Sequence, residues 1–426
     1  MSKLTKYRFS DLYSMSSGIS STKEQAGHGA PFLSFSAVFN NYFVPESLIE
    51  LMDASEKQQE TYSIKEGDIF LTRTSEVVDE LAMSSVAIKD YPFATYSGFL
   101  KRLRPTQNDI TYHKFMAFYL RSSLFRKTMT NNAVMTLRAS LNEDIFSYLE
   151  LLLPEFDEQV KIGDLLYSMT QKIEINKRIN TELESMVKTL YDFWFVQFDF
   201  PGVDGNPYKA SGGKMIYNET LKREIPDGWN AGTISSISDL VRGVTYNKDD
   251  ITSSFDKEAI PILRATNITG NQIDINDMVY VSKELVDEKQ FLKKLDILIT
   301  MSSGSIDHIG KNGLYYFDER VAFGAFCAKL VAKQDYQYFL FGYTQSGFLQ
   351  QSIKNECLGT NINNLNASLV KGFKLAIPEP TILDLFNKKV GPIYQMIESK
   401  QQESKKLTEL RDWLVPMLMN GQVTVK

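Results

Sequence analysis

What this chain can fold into is limited first by a repeat: the pattern of Leu141 to Phe198 returns in Leu365 to Val423. Sliding one copy onto the other by 224 positions needs no gap. It lays Leu149, Leu151, Leu153 and Pro154 over Phe373, Leu375, Ile377 and Pro378, so each copy opens with a short alternating strand ending in Pro-Glu. Beyond it Ile162 coincides with Phe386, Leu166 with Val390, Met169 with Ile393, Ile173 with Ile397, Leu183 with Leu407 and Leu190 with Leu414. Steps of three, four and seven mark a helical seam. A repeat of this length implies two units shaped to one job.

The seam predicts a helix from Glu158 to about Gln197, a rod of roughly 60 Å at about 1.5 Å per residue. A heptad reading puts Ile162, Met169, Leu183 and Leu190 at one seam position and Leu166, Ile173, Val187 and Trp194 at the other. Asn176 and Asn180 interrupt the middle, and Lys400 and Ser404 stand at the equivalent places of the second copy. If the two helices pair antiparallel, centre meets centre and the polar interruptions share layers, where buried polar groups fix register. Leucine at 176 and 180 is then expected to raise thermal stability while allowing slippage. Gly391-Pro392 lies inside the second run, where proline costs about 3 kcal/mol, so a bend or a late helix start is expected there.

At 426 residues the chain has room for two to three domains, each with its own core. No run of apolar residues is long enough to span a membrane, and MSKLTKYRFSDLYS lacks the apolar centre of a signal peptide, which points to the cytoplasm. The two cysteines, Cys327 and Cys357, have apolar neighbours and read as small buried hydrophobes. His28, His113 and His308 show no paired spacing, so neither a metal site nor a histidine-based triad is expected. The net charge of −5 argues against a blanket nucleic-acid binder, but averages hide local fields. Between Ser97 and Arg138 stand eight basic residues, Lys101, Arg102, Arg104, Lys114, Arg121, Arg126, Lys127 and Arg138, against the single acid Asp109. That window, threaded with aromatics, suggests a polyanion footprint.

Taken in order, a first unit shows a polar loop at Ser16 to Ser20, a strand-like Pro31 to Phe35, and a helix-prone stretch from Glu46 to Gln59. A turn follows, feeding a strand at Gly67 to Thr72, then an amphipathic helix from Tyr112 to Lys127. After Phe198 the Gly- and Pro-rich FPGVDGNPYKASGGK reads as a boundary. The landmarks then return: Arg242 to Thr245 answers Ser17 to Ser20, Pro261 to Arg264 answers Pro31 to Ser34, and Asp296 to Thr300 answers Asp68 to Thr72. Tyr338 to Ser346 answers the helix ending at Ser122. Side chains between the landmarks differ almost completely. Two copies of a scaffold with unlike loops suit recognition of two different things.

A search for chemistry returns little. Gly304 to Asn312 resembles a phosphate loop, but five residues separate its glycines and Asn312 follows Lys311 where Ser or Thr should hold magnesium. Asn206-Pro207-Tyr208 is similar to an adenine-methyltransferase signature, yet it has one proline and no Gly-rich cofactor loop upstream. Asp287-Glu288-Lys289, the material for a nuclease, lies in a charged run that reads as a solvated helix.

The order of globular unit, strand ending in Pro-Glu, long helix, Gly/Pro-rich join, second globular unit and second long helix resembles the specificity subunit of type I restriction-modification systems. The residues that carry the resemblance are Ile225-Pro226-Asp227-Gly228-Trp229, the helix starts after Leu152 and Ala376, and the repeat itself. The first unit begins instead at Tyr7-Arg8-Phe9.

The resemblance implies an α+β chain, with two similar mixed α/β target-recognition domains separated by two long helices that form an antiparallel intramolecular coiled coil. The segments expected are 1–155, a central long helix over 156–198, 199–378, and a C-terminal long helix over 379–426. It implies that each domain reads one half of a bipartite asymmetric site in double-stranded DNA while the helices set the gap. Two modification (methyltransferase) subunits dock on the helices, and the resemblance allows for two restriction (translocase/endonuclease) subunits. The chain itself is then non-catalytic and holds no cofactor or metal; S-adenosylmethionine, ATP and magnesium are expected on the partners. Two other readings stay open: a DNA methyltransferase or nuclease in its own right, and a scaffold that binds no DNA.

On physical grounds, base edges are read by polar or cationic side chains on loops beside strands. In the first unit these are Arg73, Thr74, Ser75, Tyr96, Ser97 and Arg138. In the second they are Arg264, Thr266, Asn267, Ser302, Ser303, Lys311, Asn361 and Asn363. Lys101, Arg102, Arg126 and Lys127 are expected to contact phosphates, which position without specifying.

Overall fold

Each strand that leads into a long helix is held, antiparallel, by a strand that lies well over a hundred residues earlier in the chain, ahead of the main sheets of its unit. In the computed structural model Thr5–Arg8 pairs with Glu150–Leu153, and Asn230–Thr233 pairs with Lys374–Ile377. Glu150–Leu153 alternates exposed and buried, as a strand with one solvated face must, and fully burying Leu151 and Leu153 contributes about 1.5–3 kcal/mol each. The structure describes residues 3–20, 22–75, 80–132, 134–135, 139–140, 143–358 and 364–425. Two compact units result: Met1–Ile175 with Glu403–Lys426, and Asn176–Gln402.

The first unit is built on a four-stranded antiparallel sheet in the order Tyr13–Ser17, Leu100–Pro105, Ile69–Thr72, Ser84–Val86. Beside it lies a three-stranded sheet, Leu51–Met52, Ala26–Leu33, Thr95–Tyr96, whose last pair is parallel. The second unit repeats both. Its four-stranded sheet runs Ser238–Arg242, Cys327–Ala332, Ile297–Thr300, Asn312–Leu314, and its three-stranded sheet runs Val279–Ser282, Ala259–Leu263, Ala322–Phe323, again with the last pair parallel. Register is kept as well as order: Phe70 faces Arg102 where Leu298 faces Lys329. Gly18 and Gly243, paired in the sequence, do one task. A Cβ on either would come within 2.2 Å of a carbonyl oxygen, that of Ser97 or of Gly324, so only glycine lets the chain pass there.

Two helical expectations are corrected. The helix expected over Tyr112 to Lys127 is two, His113–Tyr119 and Ser123–Asn132. Ser122 divides them: its hydroxyl donates to the Tyr119 carbonyl and accepts from the Phe125 amide, closing one helix and capping the next. Ser346 does the same between Gln337–Thr344 and Gly347–Leu358, through Tyr343 and Leu349. The stretch from Glu46 to Gln59 is helical only from Glu56, where Ser55 and Gln58 form a capping box.

The long helices run Phe156–Tyr191, extended by a π turn over Asp192–Val196, and Pro380–Met419. The second is unbroken through Gly391-Pro392 and starts at once at Pro380, so the expected late start is wrong. Pro380 sits where a helix has no amide to satisfy. The two helices pack antiparallel. In the first unit Ile162 and Leu166 share a core with Val415, Leu418 and Met419, and Lys172 reaches Glu403 at 3.6 Å. In the second unit Val187, Tyr191 and Trp194 share a core with Leu383, Phe386, Val390 and Ile397. Phe195 is wedged edge-on against Phe386 and Phe339, with centroids 4.8 and 4.9 Å away. Met169, Ile173, Leu183 and Leu190, read as seam positions, are only half-buried.

The Gly/Pro-rich join packs through its aromatics. Tyr208 stacks on Phe200 at 4.6 Å and Phe200 stacks on Trp229 at 5.2 Å. Asn206-Pro207-Tyr208 therefore delivers a ring to a structural stack that also seats the Ile-Pro-x-Gly-Trp motif. Cys327 is fully buried, and burial pushes its thiol up to about 12, as the reading of a small hydrophobe requires. The side chain of Cys357 lies outside the described residues.

Candidate nucleic-acid interface

The basic window from Ser97 to Arg138 turns mostly inward. Lys101 and Arg102 are buried: Lys101 donates to the Ser17 hydroxyl at 2.8 Å, and Arg102 to the Ser63 carbonyl at 2.7 Å. Arg104 holds Asp68 through two bonds of 2.7 and 2.6 Å, and Lys114 pairs with Asp164 at 2.8 Å. Arg121 donates to the carbonyls of Ser84, Val38, Phe39 and Asn41, and its desolvation pushes it down to about 10. These charges are engaged inside the fold, so Lys101 and Arg102 do not suit the expected phosphate contacts. Arg126 is half-buried and Lys127 exposed, while Arg138 lies outside the described residues.

Among the expected base readers of the first unit, Arg73 is exposed and follows the sheet strand Ile69–Thr72. Thr74 and Ser75 form a short strand against Ala139–Ser140. Tyr96 and Ser97 do not fit the role. The Tyr96 ring is fully buried and its hydroxyl meets Ser16 and the Ser17 carbonyl, while the Ser97 hydroxyl accepts from the Phe99 amide. Burial also raises the pKa of the Tyr96 hydroxyl.

In the second unit Arg264 is tied to Asp277 at 2.7 Å, an exposed pair of the kind that contributes little and opens readily. Thr266 is exposed. Asn267 does not fit a reader: it is buried and pins its own turn, donating to the carbonyls of Asp274 and Asp277 and accepting from the Arg264 amide. Ser302, Ser303 and Lys311 come together at the end of Ile297–Thr300, where the Thr300 amide donates to the Lys311 carbonyl. Asn361 and Asn363 lie outside the described residues. Of the register residues, Asn176 and Asn180 are buried, and the Asn180 amide donates to the Ile397 carbonyl at 3.3 Å; Lys400 and Ser404 are half-buried.

One loop in each unit ties its surviving candidates together. In the first, the Ser97 amide donates to the Leu33 carbonyl and the Phe99 carbonyl accepts from the Arg73 amide. In the second, the Gly324 amide donates to the Leu263 carbonyl and the Phe326 carbonyl accepts from the amides of Met301 and Ser302. Each loop thus bridges the ends of two strands, and each carries an exposed phenylalanine, Phe99 at 67% and Phe326 at 69%. Sequence reasoning missed both. The signal was available, since they occupy one place in the repeat, immediately before Leu100–Pro105 and Cys327–Ala332.

Two helical faces also carry apolar side chains that the units leave exposed. On the first long helix and its π turn these are Met186, Phe193 and Val196; on the second, Leu410 and Trp413. Met186 and Leu410 occupy one position of the 224-residue repeat. No helix among the described residues is long and apolar enough to cross a membrane.

Comparison with known proteins bears directly on this arrangement. The family model described as the type I restriction modification DNA specificity domain matches residues 1–185 and again 226–408. The chain is 29% identical over 208 residues to the type I restriction enzyme EcoKI specificity subunit of Escherichia coli, covering 48% of this chain and 45% of that protein. It is 24% identical over 360 residues to the MjaIX specificity subunit of Methanocaldococcus jannaschii, covering 84% and 79%. The matched stretch therefore spans under half of the first relative. In fold, it is similar to the crystal structure of a type I restriction-modification S subunit from M. genitalium, with TM-score 0.54 and 16% identity over 98% of this chain and 96% of that one.

Proposed function

The chain belongs to the type I restriction-modification DNA specificity family, and on that footing we propose that it is the sequence-reading subunit of a DNA methyltransferase complex. Each unit reads one half of a bipartite asymmetric site in double-stranded DNA. The observation that carries this reading is that the two units share one frame, with the four- and three-stranded sheets repeated in order and register, while the side chains at the strand ends differ: an exposed Arg73 follows the strand in one and a buried Met301 follows it in the other. A common frame with unlike edges gives a common geometry of approach and different base preferences.

The long helices, each contributing to both units, set the unspecified gap between the half-sites in this reading. One exposed apolar position is repeated, Met186 on one helix and Leu410 on the other, with the further exposed rings Phe193 and Trp413 at positions that do not correspond, and this suits the docking of two modification subunits. S-adenosylmethionine, ATP and magnesium belong to those partners and to restriction subunits where present, and this chain supplies address without chemistry. Methylome sequencing of the source cell with and without the gene tests the proposal. Loss of one bipartite adenine mark is expected; an unchanged methylome would sink it.

A further inference from the structure

We propose that Phe99 and Phe326 are paired wedges that press against the base pairs of the DNA, one in each half-site. The inference rests on the reading of the chain as a DNA specificity subunit. Three observations carry it. First, each ring is about two-thirds exposed and occupies the same place in both units, although the residues just before it differ, Tyr96-Ser97-Gly98 against Phe323-Gly324-Ala325. A large apolar ring held in water at one surface position is unremarkable; at the same position of two diverged loops it asks for a common contact.

Second, each ring stands on a fixed pedestal. The Phe99 carbonyl accepts from the Arg73 amide at 2.9 Å, and the Phe326 carbonyl accepts from the Met301 amide at 2.8 Å and the Ser302 amide at 3.1 Å. Behind them Gly18 and Gly243 let the neighbouring chain close to within a distance no Cβ would tolerate. A side chain so mounted can be pushed between stacked bases without the loop giving way.

Third, the segments bonded to each loop carry a cation. Arg73 adjoins Phe99, and Lys311, bonded through its carbonyl to Thr300, lies by the strand end that holds Phe326. Among the described residues neither cation makes an ion pair. A protein-docking hot spot gathers apolar neighbours around its anchor, whereas an exposed ring on a loop bonded to a segment that carries a cation suits a base step flanked by phosphates. Aromatic contact with a base is tolerant of sequence, so the wedge would fix the depth and tilt at which each unit sits while neighbouring polar groups choose the bases.

The test uses the full chain assembled with its modification subunits and a duplex carrying its methylome-derived site, with 2-aminopurine placed at successive steps of each half. The unsubstituted complex is expected to give an unstacking signal at one step per half-site. Phe99→Ala should abolish the signal in one half only and weaken binding about tenfold or more, and Phe326→Ala should do so in the other, the usual scale of a base–aromatic contact. Phe99→Trp and Phe326→Trp should restore both readouts. Unchanged signal and affinity in the alanine variants would overturn the inference, and so would loss of partner assembly with DNA contact intact. Failure of the unsubstituted complex to bind its own site would instead bring down the reading of function beneath it.

Discussion

The two units meet one demand of the shared frame with different charges. Asp68 and Asp296 stand at the same turn, both buried, and each accepts from the amide three residues before it, that of Lys65 or of Lys293. In the second unit the counter-charge is Lys329, itself buried, at 2.8 Å. The residue at that register position in the first unit is Arg102, but it is spent on the Ser63 carbonyl, and the carboxylate is met instead by the fork of Arg104, which is about a quarter exposed. The frame therefore specifies an anion at the turn and leaves the source of the cation open. Of the basic residues between Ser97 and Arg138, Arg104 is thus consumed by the turn itself.

The sharpest way to break that comparison is to strip the cation from each pair. Lys329→Met leaves Asp296 buried and unpaired and should cost the second unit about 3–5 kcal/mol, read by urea denaturation through the fluorescence of Trp194 and Trp229 in a Trp413→Phe background. Adding Asp296→Leu should return most of that loss. Arg104→Met should cost the first unit less, because water reaches its site; equal losses would show that the pairs are interchangeable after all.

A second contrast concerns what each unit is proposed to read. Arg73→Ala and Arg264→Ala should each relax one base pair by about 1–3 kcal/mol of discrimination, measured as methylation rates across single-position variants of the site. The two relaxed positions should fall in opposite half-sites, and two changes in the same half would contradict the one-unit, one-half assignment. Smaller still are the serine caps. Ser122→Ala and Ser346→Ala should lower stability by about 1 kcal/mol each in urea titrations, with matching size a test of their equivalence. The smallest effect has the opposite sign: Asn180→Leu should raise the melting midpoint by about 2–4 °C, as apolar burial outweighs one bond to the Ile397 carbonyl. A lowered midpoint would show that the bond is the larger contribution.

Architecture was legible in this sequence because it rests on periodicity. The 224-residue repeat, the alternating strand before each long helix and the paired glycines Gly18 and Gly243 all follow from backbone requirements that leave a mark on residue type. Where a single side chain decided the outcome, reading by pattern went astray. Ser122 split a helix whose apolar spacing runs on without a break, and Pro392 sits inside a helix held by packing along its length. Charge proved the poorest guide to the site. Lys101, Arg102 and Arg121 bear the sign expected of a DNA surface, yet their partners are hydroxyls and carbonyls brought close only by folding. Tyr96 and Asn267 misled in the same way, since a polar group that satisfies its own loop has the composition of one that reads a ligand.

The split of the long helices between the units has a consequence for how the protein is made. Residues 403–426 belong with residues 1–175, and they supply Val415, Leu418 and Met419 to that core while the Val425 amide donates to Glu158. During synthesis the core of the first unit therefore stays short of these three buried side chains until the whole of the second has been made. The second, Asn176–Gln402, has all its residues earlier and can fold ahead of it. A chain cut short after residue 402 would keep every residue of the second unit while the first lost Val415, Leu418 and Met419 from its core.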